Sequence, residues 1–322
     1  MKFGLNNSAQ LIKNLAIHGA RLGAIAIGVV LAGCAQVPIA DPTPPVVAPS
    51  TPSAPAPVAK RPPKIGLALG GGAARGFAHV GVIQVLEEAG FRPSFVAGTS
   101  AGSLVAAIYA SGKTGAQLQQ VSEAMEEVTL ADWTLPLFNR GMLRGEALAR
   151  YVNKQVDGRL IEALPLPLGI VATDLNSGQS VLFQRGDTGT AVRASSAVPA
   201  VFQPVKIAGR EYVDGGLVSP VPVRYARQMG AELVIAVDIS SAPENNPAND
   251  TLQVLLQTFA IMGKSINSFE LPGADIVIRP VTTGLSSADF TSRKKSIEAG
   301  RQAMLQMLPQ LKLKMVELAR PL

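Results

Sequence analysis

Ser100 is the side chain in this sequence best set up to attack a carbonyl carbon. It sits in Gly98-Thr99-Ser100-Ala101-Gly102, directly after the apolar run Phe95-Val96-Ala97 and before a small-residue stretch with helical spacing. That is the pattern of a nucleophile elbow, a sharp strand-to-helix turn that leaves a hydroxyl above the sheet edge, where a Cβ on a neighbouring residue would crowd it. The pentapeptide alone also occurs as a plain turn in glycine-rich chains, so its chemistry depends on what the rest of the sequence brings to it.

A second loop lies upstream. Lys64-Ile65-Gly66-Leu67-Ala68-Leu69 predicts a buried strand, Gly70-Gly71-Gly72-Ala73-Ala74-Arg75-Gly76 breaks it, and Phe77 to Ala89 has helical spacing closed by Gly90. Bare amides entering a helix N-terminus hold a negative oxygen, either a phosphate or the oxyanion of a tetrahedral intermediate. The dinucleotide pattern G-x-G-x-x-G fails on spacing. From Gly70 its sixth position is Arg75, and from Gly71 its third is Ala73. No Lys-Ser or Lys-Thr pair closes the loop as a P-loop requires. An oxyanion hole beside the serine elbow is the better reading.

A serine nucleophile needs a base, and the chain has two histidines, His18 and His79. His18 falls in an N-terminal segment that reads as a removable leader. His79 lines up with Ile83 and Leu86 on the inward face of the predicted helix, a place where imidazole packs rather than titrates. Glu211-Tyr212-Val213-Asp214-Gly215-Gly216 offers an alternative, a strand ending in an aspartate and two glycines. Strand-end loops of this kind carry catalytic side chains in α/β enzymes, although Asp-Gly-Gly alone is commonly just a turn.

Taken in order, the glycine loop with Arg75 and Gly76, Ala78-His79-Val80-Gly81-Val82, the elbow Gly98 to Gly102 and Asp214-Gly215-Gly216 resemble the patatin-like phospholipases, in particular bacterial members and the neuropathy-target-esterase-like branch. Weaker family-like stretches are Gly141 to Gly145, Ala172 to Gly178 and Ala194 to Pro199. The resemblance runs from Lys64 to about Leu313. It implies a three-layer α/β/α sandwich with a mainly parallel sheet, a Ser100–Asp214 dyad without histidine, and an oxyanion hole from Gly70, Gly71 and Gly72. It further implies a serine acyl hydrolase acting on phospholipids or lysophospholipids, with no cofactor. A thioesterase or general carboxylesterase is the nearest alternative, and a non-catalytic envelope lipoprotein using the fold as a binding module is another. The loop departs from the common family spacing, with Ala73 and Ala74 between Gly72 and Arg75 where one residue is usual. The sequence therefore leaves open which two amides face the oxyanion. Arg75 could hold a lipid phosphate or simply fix the loop, and ion-pair statistics favour the second role.

The dyad carries an electrostatic requirement. A carboxylate with a reference pKa of about 3.9 is a weak base for an alcohol, so Asp214 is expected to be desolvated.

The elements that must position these groups occupy the chain after about residue 63. Apolar runs at Ile65–Leu69, Phe95–Gly98, Leu168–Thr173, Leu233–Asp238 and Ile276–Ile278 predict strands that alternate with helical patterns, the signature of an α/β sheet covered on both faces. Thr251–Phe269 and Ser296–Leu318 predict long amphipathic helices closing the domain, which is expected over 64–322.

The N-terminal region differs in character. Lys2, Lys13 and Arg21 precede the short apolar stretch Leu22–Val30, which ends in Leu31-Ala32-Gly33-Cys34. The stretch is too short to span a bilayer stably and reads as a lipoprotein leader over 1–33, with lipid attached to Cys34, the one cysteine of the chain. Ala35 in the next position points to the outer membrane of a Gram-negative envelope. Val37 to Pro63 contains ten prolines and almost no charge, which predicts an extended tether reaching up to roughly 80 Å.

Composition narrows the partners. The formal charge of +6 falls to +3 once Lys2, Lys13 and Arg21 leave with the leader, too mild to argue for nucleic acid. One histidine and a lipidated cysteine supply little for a metal. Arg293-Lys294-Lys295 with Lys312 and Lys314 reads either as a solvated face or as a contact for anionic head groups. Oligomeric state is not encoded in any of these features.

Overall fold

Continuous apolar runs become the central strands because both of their faces are covered. The computed structural model describes residues 59–125, 132, 140–245, 248–282 and 290–321. In chain order the strands are β1 (Lys60–Arg61), β2 (Ile65–Leu69), β3 (Phe95–Thr99), β4 (Gly141–Leu143), β5 (Leu168–Asp174) and β6 (Ser180–Phe183). They continue with β7 (Ala200–Phe202), β8 (Val205–Ile207), β9 (Arg210–Asp214), β10 (Leu233–Val237), β11 (Ile276–Ile278) and β12 (Arg320–Pro321). The helices are α1 (Ala78–Glu88), α2 (Ala101–Ala110), α3 (Gly115–Glu123), α4 (Glu146–Gln155), α5 (Thr188–Ser195), α6 (Val223–Gln228), α7 (Thr251–Glu270) and α8 (Arg293–Glu317).

The main sheet runs β11-β10-β2-β3-β5-β9-β8, with β6 also paired to β5. From β11 to β5 every pairing is parallel, as expected. At β5 the sheet turns antiparallel through β6, β9 and β8. The two faces differ in side-chain size. On one, Leu67, Leu69, Val96, Ile170, Leu233 and Ile235 are buried with residues of α1, α2, α3 and α8. On the other, Ala68, Ala97, Val171 and Ala236 pack against Val223, Tyr225 and Ala226 of α6. Alternation of large and small residues along β2, β3 and β10 thus sets how close each helical layer approaches.

α8 closes the large-residue face by locking onto α1. A Cβ at Gly81 would lie 1.9 Å from the Ile297 carbonyl oxygen, and one at Gly300 would lie 1.9 Å from that of Ala78. Two facing glycines therefore allow the helix backbones to touch. Arg301 adds charged contacts to Glu88 at 2.7 and 2.9 Å.

The chain divides into two units, Met1–Pro55 and Ala56–Leu322, and the described residues, with every buried core side chain among them, belong to the second. The leader expected over 1–33 and Cys34 lie outside the described residues. Most of the segment expected as a tether also lies outside them, and its last residues, from position 59 on, join the folded unit. Lys60 and Arg61 pair with Pro321 and Arg320 as β1 and β12, and Arg61 makes a two-pronged contact with Glu232 at 2.7 and 2.8 Å. An Arg–carboxylate fork of this geometry holds the entry of the chain to the sheet.

Candidate active site

β3 ends at Thr99 and α2 begins at Ala101, so Ser100 alone makes the turn. Its backbone is at φ 53° and ψ −124°, a left-handed conformation that costs a non-glycine residue energy and is held by its surroundings. The flanking glycines let those surroundings close in. A Cβ at Gly98 would lie 2.6 Å from the Gly102 oxygen and the Ser103 Cα, and one at Gly102 would lie 2.1 Å from the Leu69 oxygen. The turn is then pinned from two sides. The Ser100 carbonyl accepts hydrogen bonds from Ser103 N at 2.8 Å and Ser103 Oγ at 2.6 Å. The Ser100 N–H donates to Ser195 Oγ at 2.8 Å, while Ser195 Oγ donates to the Val171 carbonyl at 2.6 Å.

Asp214 is delivered by β9, the antiparallel strand beside β5, and pairs in register with Ala172. The Ser100 Oγ donates to Asp214 Oδ2 at 2.6 Å, in the range of a hydroxyl-to-carboxylate bond. The other carboxylate oxygen accepts the Gly216 N–H at 2.7 Å. The Asp214 backbone is held by Ala197 O at 3.0 Å and by the Thr173 hydroxyl at 2.8 Å. Asp214 is only 7 % exposed. Burial raises its pKa from the usual carboxylate range to about 6, against the opposing pull of the bonds from Ser100 and Gly216. The desolvation that the dyad chemistry calls for is present.

The glycine loop corrects one expectation. Gly70 and Gly71 are expected oxyanion donors, yet the Gly70 N–H donates to Val237 O at 3.0 Å and the Gly71 N–H to Pro220 O at 2.9 Å. Their donors are committed to holding the loop. Gly72 and the next residue, Ala73, have N–H groups with no partner among the described residues. They open a short 3₁₀ turn, Ala73–Phe77, whose N-terminal amides are unpaired by construction. The available donor pair is therefore shifted one position along. Gly71 serves the site in another way. A Cβ there would lie 3.2 Å from the Ser100 Cβ, so its bare backbone leaves the hydroxyl uncrowded. Gly76 packs against Ala101, and Gly215 against Val171.

Arg75 and His79 both act on this loop from behind. Arg75 Nε donates to Ile239 O at 2.8 Å, which ties the turn to the segment that follows β10. His79 is fully buried, and its Nε2 donates to the Gly70 carbonyl at 2.8 Å. Burial lowers its pKa to about 4, so the ring is neutral at ordinary pH. It is a brace for the loop, as its place on the inward face of α1 suggested.

Thr173 and Ser195 fall in the weaker family-like stretches, whose sequence gives neither residue a role. Both carry hydroxyls that fix the backbones of Asp214 and Ser100. The stretch Gly141–Gly145 lies elsewhere, in the pairing of β4 with β7. An open cavity of about 470 Å³ bounded by Asp174, Asn176, Ser177, Lys206 and Arg210 lies at the antiparallel edge and contains none of the dyad or loop residues. Its Asp174 carboxylate is occupied by the Asn176 and Ser177 amides in a turn and by Arg210. Among the described residues no group of three or more His, Cys, Asp or Glu side chains is gathered to hold a metal ion.

Comparison with known proteins places this geometry in a family. The family model for patatin-like phospholipases matches residues 67–227, a span that includes the glycine loop, Ser100, Ser195 and Asp214. An uncharacterized NTE family protein of Mycobacterium tuberculosis is 39% identical over 188 residues, which cover 58% of this chain and 52% of the relative. The patatin-like phospholipase domain-containing protein 6 of Homo sapiens is 34% identical over 248 residues, 74% of this chain and 17% of that protein. The chain thus spans about half the length of the mycobacterial relative. In fold, VipD from Legionella pneumophila superposes with a TM-score of 0.53 at 17% identity, covering 78% of this chain and 67% of that chain. The elbow, the glycine loop and the buried aspartate all lie within the matched span, and the chain belongs to the patatin-like phospholipase family.

Proposed function

We propose that this chain is a membrane-anchored serine acyl hydrolase that cleaves fatty-acyl esters of phospholipids or lysophospholipids. The observation that carries the reading is the 2.6 Å bond from Ser100 Oγ to a carboxylate whose pKa is raised to about 6 by burial. At neutral pH Asp214 is mostly ionised and still a better base than a solvated aspartate. It takes the Ser100 proton as Oγ attacks the ester carbonyl, and the Gly72 and Ala73 amides receive the oxyanion. The intermediate collapses to an acyl-enzyme, and Asp214 returns the proton to the departing alcohol. Water then gives a proton to Asp214 and attacks the acyl carbon. Ser100 recovers its proton as the fatty acid leaves.

Analysis of the lipid products formed by the Ala56–Leu322 unit tests the reaction. Release of free fatty acid from phospholipid or lysophospholipid vesicles supports it. A fluorophosphonate is expected to label Ser100, and Ser100→Ala is expected to lose the label and at least about a thousandfold in turnover. An adduct on another serine would sink the assignment, and hydrolysis of thioesters alone would redirect it to a thioesterase.

Anchoring rests on Leu31-Ala32-Gly33-Cys34 at the end of the short apolar stretch. In this reading Cys34 carries lipid, the proline-rich segment holds the domain off the surface, and the location is the outer membrane of a Gram-negative envelope. Cys34→Ala is expected to abolish incorporation of labelled palmitate in cells. Unchanged incorporation would remove the anchor from the proposal without touching the dyad.

A further inference from the structure

α7 carries apolar residues on its outer face as well as toward the core. A surface helix ordinarily turns its apolar stripe inward. α8 does so, burying Ile297, Met304 and Leu311. On α7 the fully buried positions are Gly263 and Asn267. Both Asn267 amide atoms and Gln257 Oε1 are buried without a hydrogen-bond partner among the described residues. Facing out are Val254, Ile261, Met262 and Phe269, 51, 54, 41 and 85 % exposed. Steps of seven, one and seven residues place these four on one face, where only the small side chains of Thr258 and Ser265 lie between them. The helical period expected over Thr251–Phe269 is present: Leu252, Leu255, Phe259 and Ile266 are half-buried on the inner side, and further apolar residues remain on the outer side.

The position of this stripe matters. Gly263 lies against Pro220, whose carbonyl holds the Gly71 amide. At the helix end Glu270 Oε1 accepts the Ser219 hydroxyl at 3.2 Å and the Arg224 N–H at 3.1 Å, and Ser219 O accepts the Thr99 hydroxyl at 2.8 Å. α7 is thereby tied to the residue preceding Ser100. Val281, 79 % exposed, follows β11 on the same carboxyl edge of the sheet.

We propose that the outward stripe of α7 docks on a lipid bilayer and seats the carboxyl edge, with Ser100, against the membrane that holds the substrate. This rests on the lipid-hydrolase reading above. Three observations favour a bilayer over a protein partner. The helix that carries the stripe is bonded to the edge that carries the dyad. Thr251–Phe269 contains no carboxylate; its one charge, Lys264, pairs with Glu244, and the terminal Glu270 is bonded to Ser219 and Arg224, so the stripe's own side chains carry no negative charge against anionic head groups. The chain before residue 59 carries a lipoprotein-type cysteine and a proline-rich segment long enough to keep the domain beside a bilayer. By contrast Arg293, the first of the basic run, donates to the carbonyls of Ser122, Glu123 and Met125 and is spent inside the fold.

The test uses the Ala56–Leu322 unit, which holds the described core, and vesicles of phosphatidylcholine with phosphatidylglycerol. Replacing Ile261, Met262 and Phe269 together by serine is expected to lower vesicle flotation at least about tenfold and phospholipid hydrolysis in parallel, with hydrolysis of a dispersed short-chain ester kept within about twofold. Phe269→Trp is expected to give a blue-shifted emission on adding vesicles, relative to wild type. Unchanged flotation overturns the proposal, as does an equal loss on the dispersed ester. A wild-type dimer that the triple variant converts to monomer would assign the stripe to a second copy instead. If the wild type hydrolyses no ester, the enzymatic reading fails, while flotation and the Phe269→Trp shift still decide the docking surface.

Discussion

The Ser100–Asp214 pair and the outer face of α7 are built on opposite terms. Around Ser100 and Asp214 hydroxyls and amides are matched: Ser195 and Ser103 hold the elbow, and Gly216, Thr173 and Ala197 hold the aspartate. Along α7 Val254, Ile261, Met262 and Phe269 touch solvent, with Thr258 and Ser265 between them. The difference separates two kinds of work. Bond breaking needs atoms held to fractions of an ångström in a low-dielectric setting, whereas docking on a fluid surface needs exposed apolar area and little internal order.

The sharpest way to break this contrast is Asp214→Asn. Asparagine keeps the shape and cannot take the Ser100 proton, so turnover is expected to fall at least about a thousandfold, with vesicle binding through α7 unchanged. The same substitution is expected to stabilise the fold at neutral pH. Because the folded pKa of Asp214 lies above its unfolded value, its contribution is fully favourable below about pH 4 and is lost as pH rises through about 6. The cost at pH 8 is on the order of 2–3 kcal/mol, and chemical denaturation of both proteins at pH 5 and pH 8 measures it. An asparagine variant no more stable than wild type at pH 8 would mean that Asp214 is not desolvated.

A smaller effect is expected from Ser195→Ala, which leaves the Ser100 amide without its acceptor and loosens the strained turn. Turnover should drop by roughly 10- to 100-fold with KM nearly constant, since the lost bond orients the nucleophile and does not touch the substrate. Steady-state kinetics on a dispersed ester checks this, and a variant that raises KM alone would show that Ser195 faces the acyl chain. The pH profile sharpens the same point: kcat/KM is expected to rise with an inflection near 6, as Asp214 loses its proton. Retention of that inflection in His79→Gln would exclude the imidazole as its source.

The smallest effect is expected at His79 itself. His79→Gln should cost about 1–3 kcal/mol of stability by disturbing the buried bond to Gly70, while turnover per folded molecule changes by no more than about threefold. With a folded pKa near 4, below its unfolded value, His79 contributes stability that is present above about pH 6.5 and lost as pH falls toward 4. Acid titration of unfolding should show that loss in wild type and a weaker one in the variant. A folded His79 variant as inactive as Asp214→Asn would overturn the dyad.

Much of the scaffold is readable from sequence because β2, β3 and β10 are buried on both faces and so appear as unbroken apolar runs. The antiparallel edge is harder. β8 is three residues long with Lys206 exposed at its centre, and so short a strand leaves no alternation to detect. Ser100 and Asp214 are legible because glycines mark their turns. The oxyanion donors are not, because the carbonyls that occupy Gly70 and Gly71 come from Val237 and Pro220, far along the chain. Ser195 matters only once α5 is packed over β5, a tertiary fact with no local signature. For α7 the helical period is plain in the sequence, but periodicity says which residues share a face and nothing about which face turns inward.

The glycine-to-glycine lock between α1 and α8 also governs the order in which the protein can assemble. Arg301 reaches Gln84 across 217 positions of chain, so the helix that follows the glycine loop waits for its cover until nearly the whole domain has been synthesised. Contacts this distant form late and slow folding. A nascent chain would keep its first β–α unit open, with the loop braced by His79 unfinished, until α8 arrives.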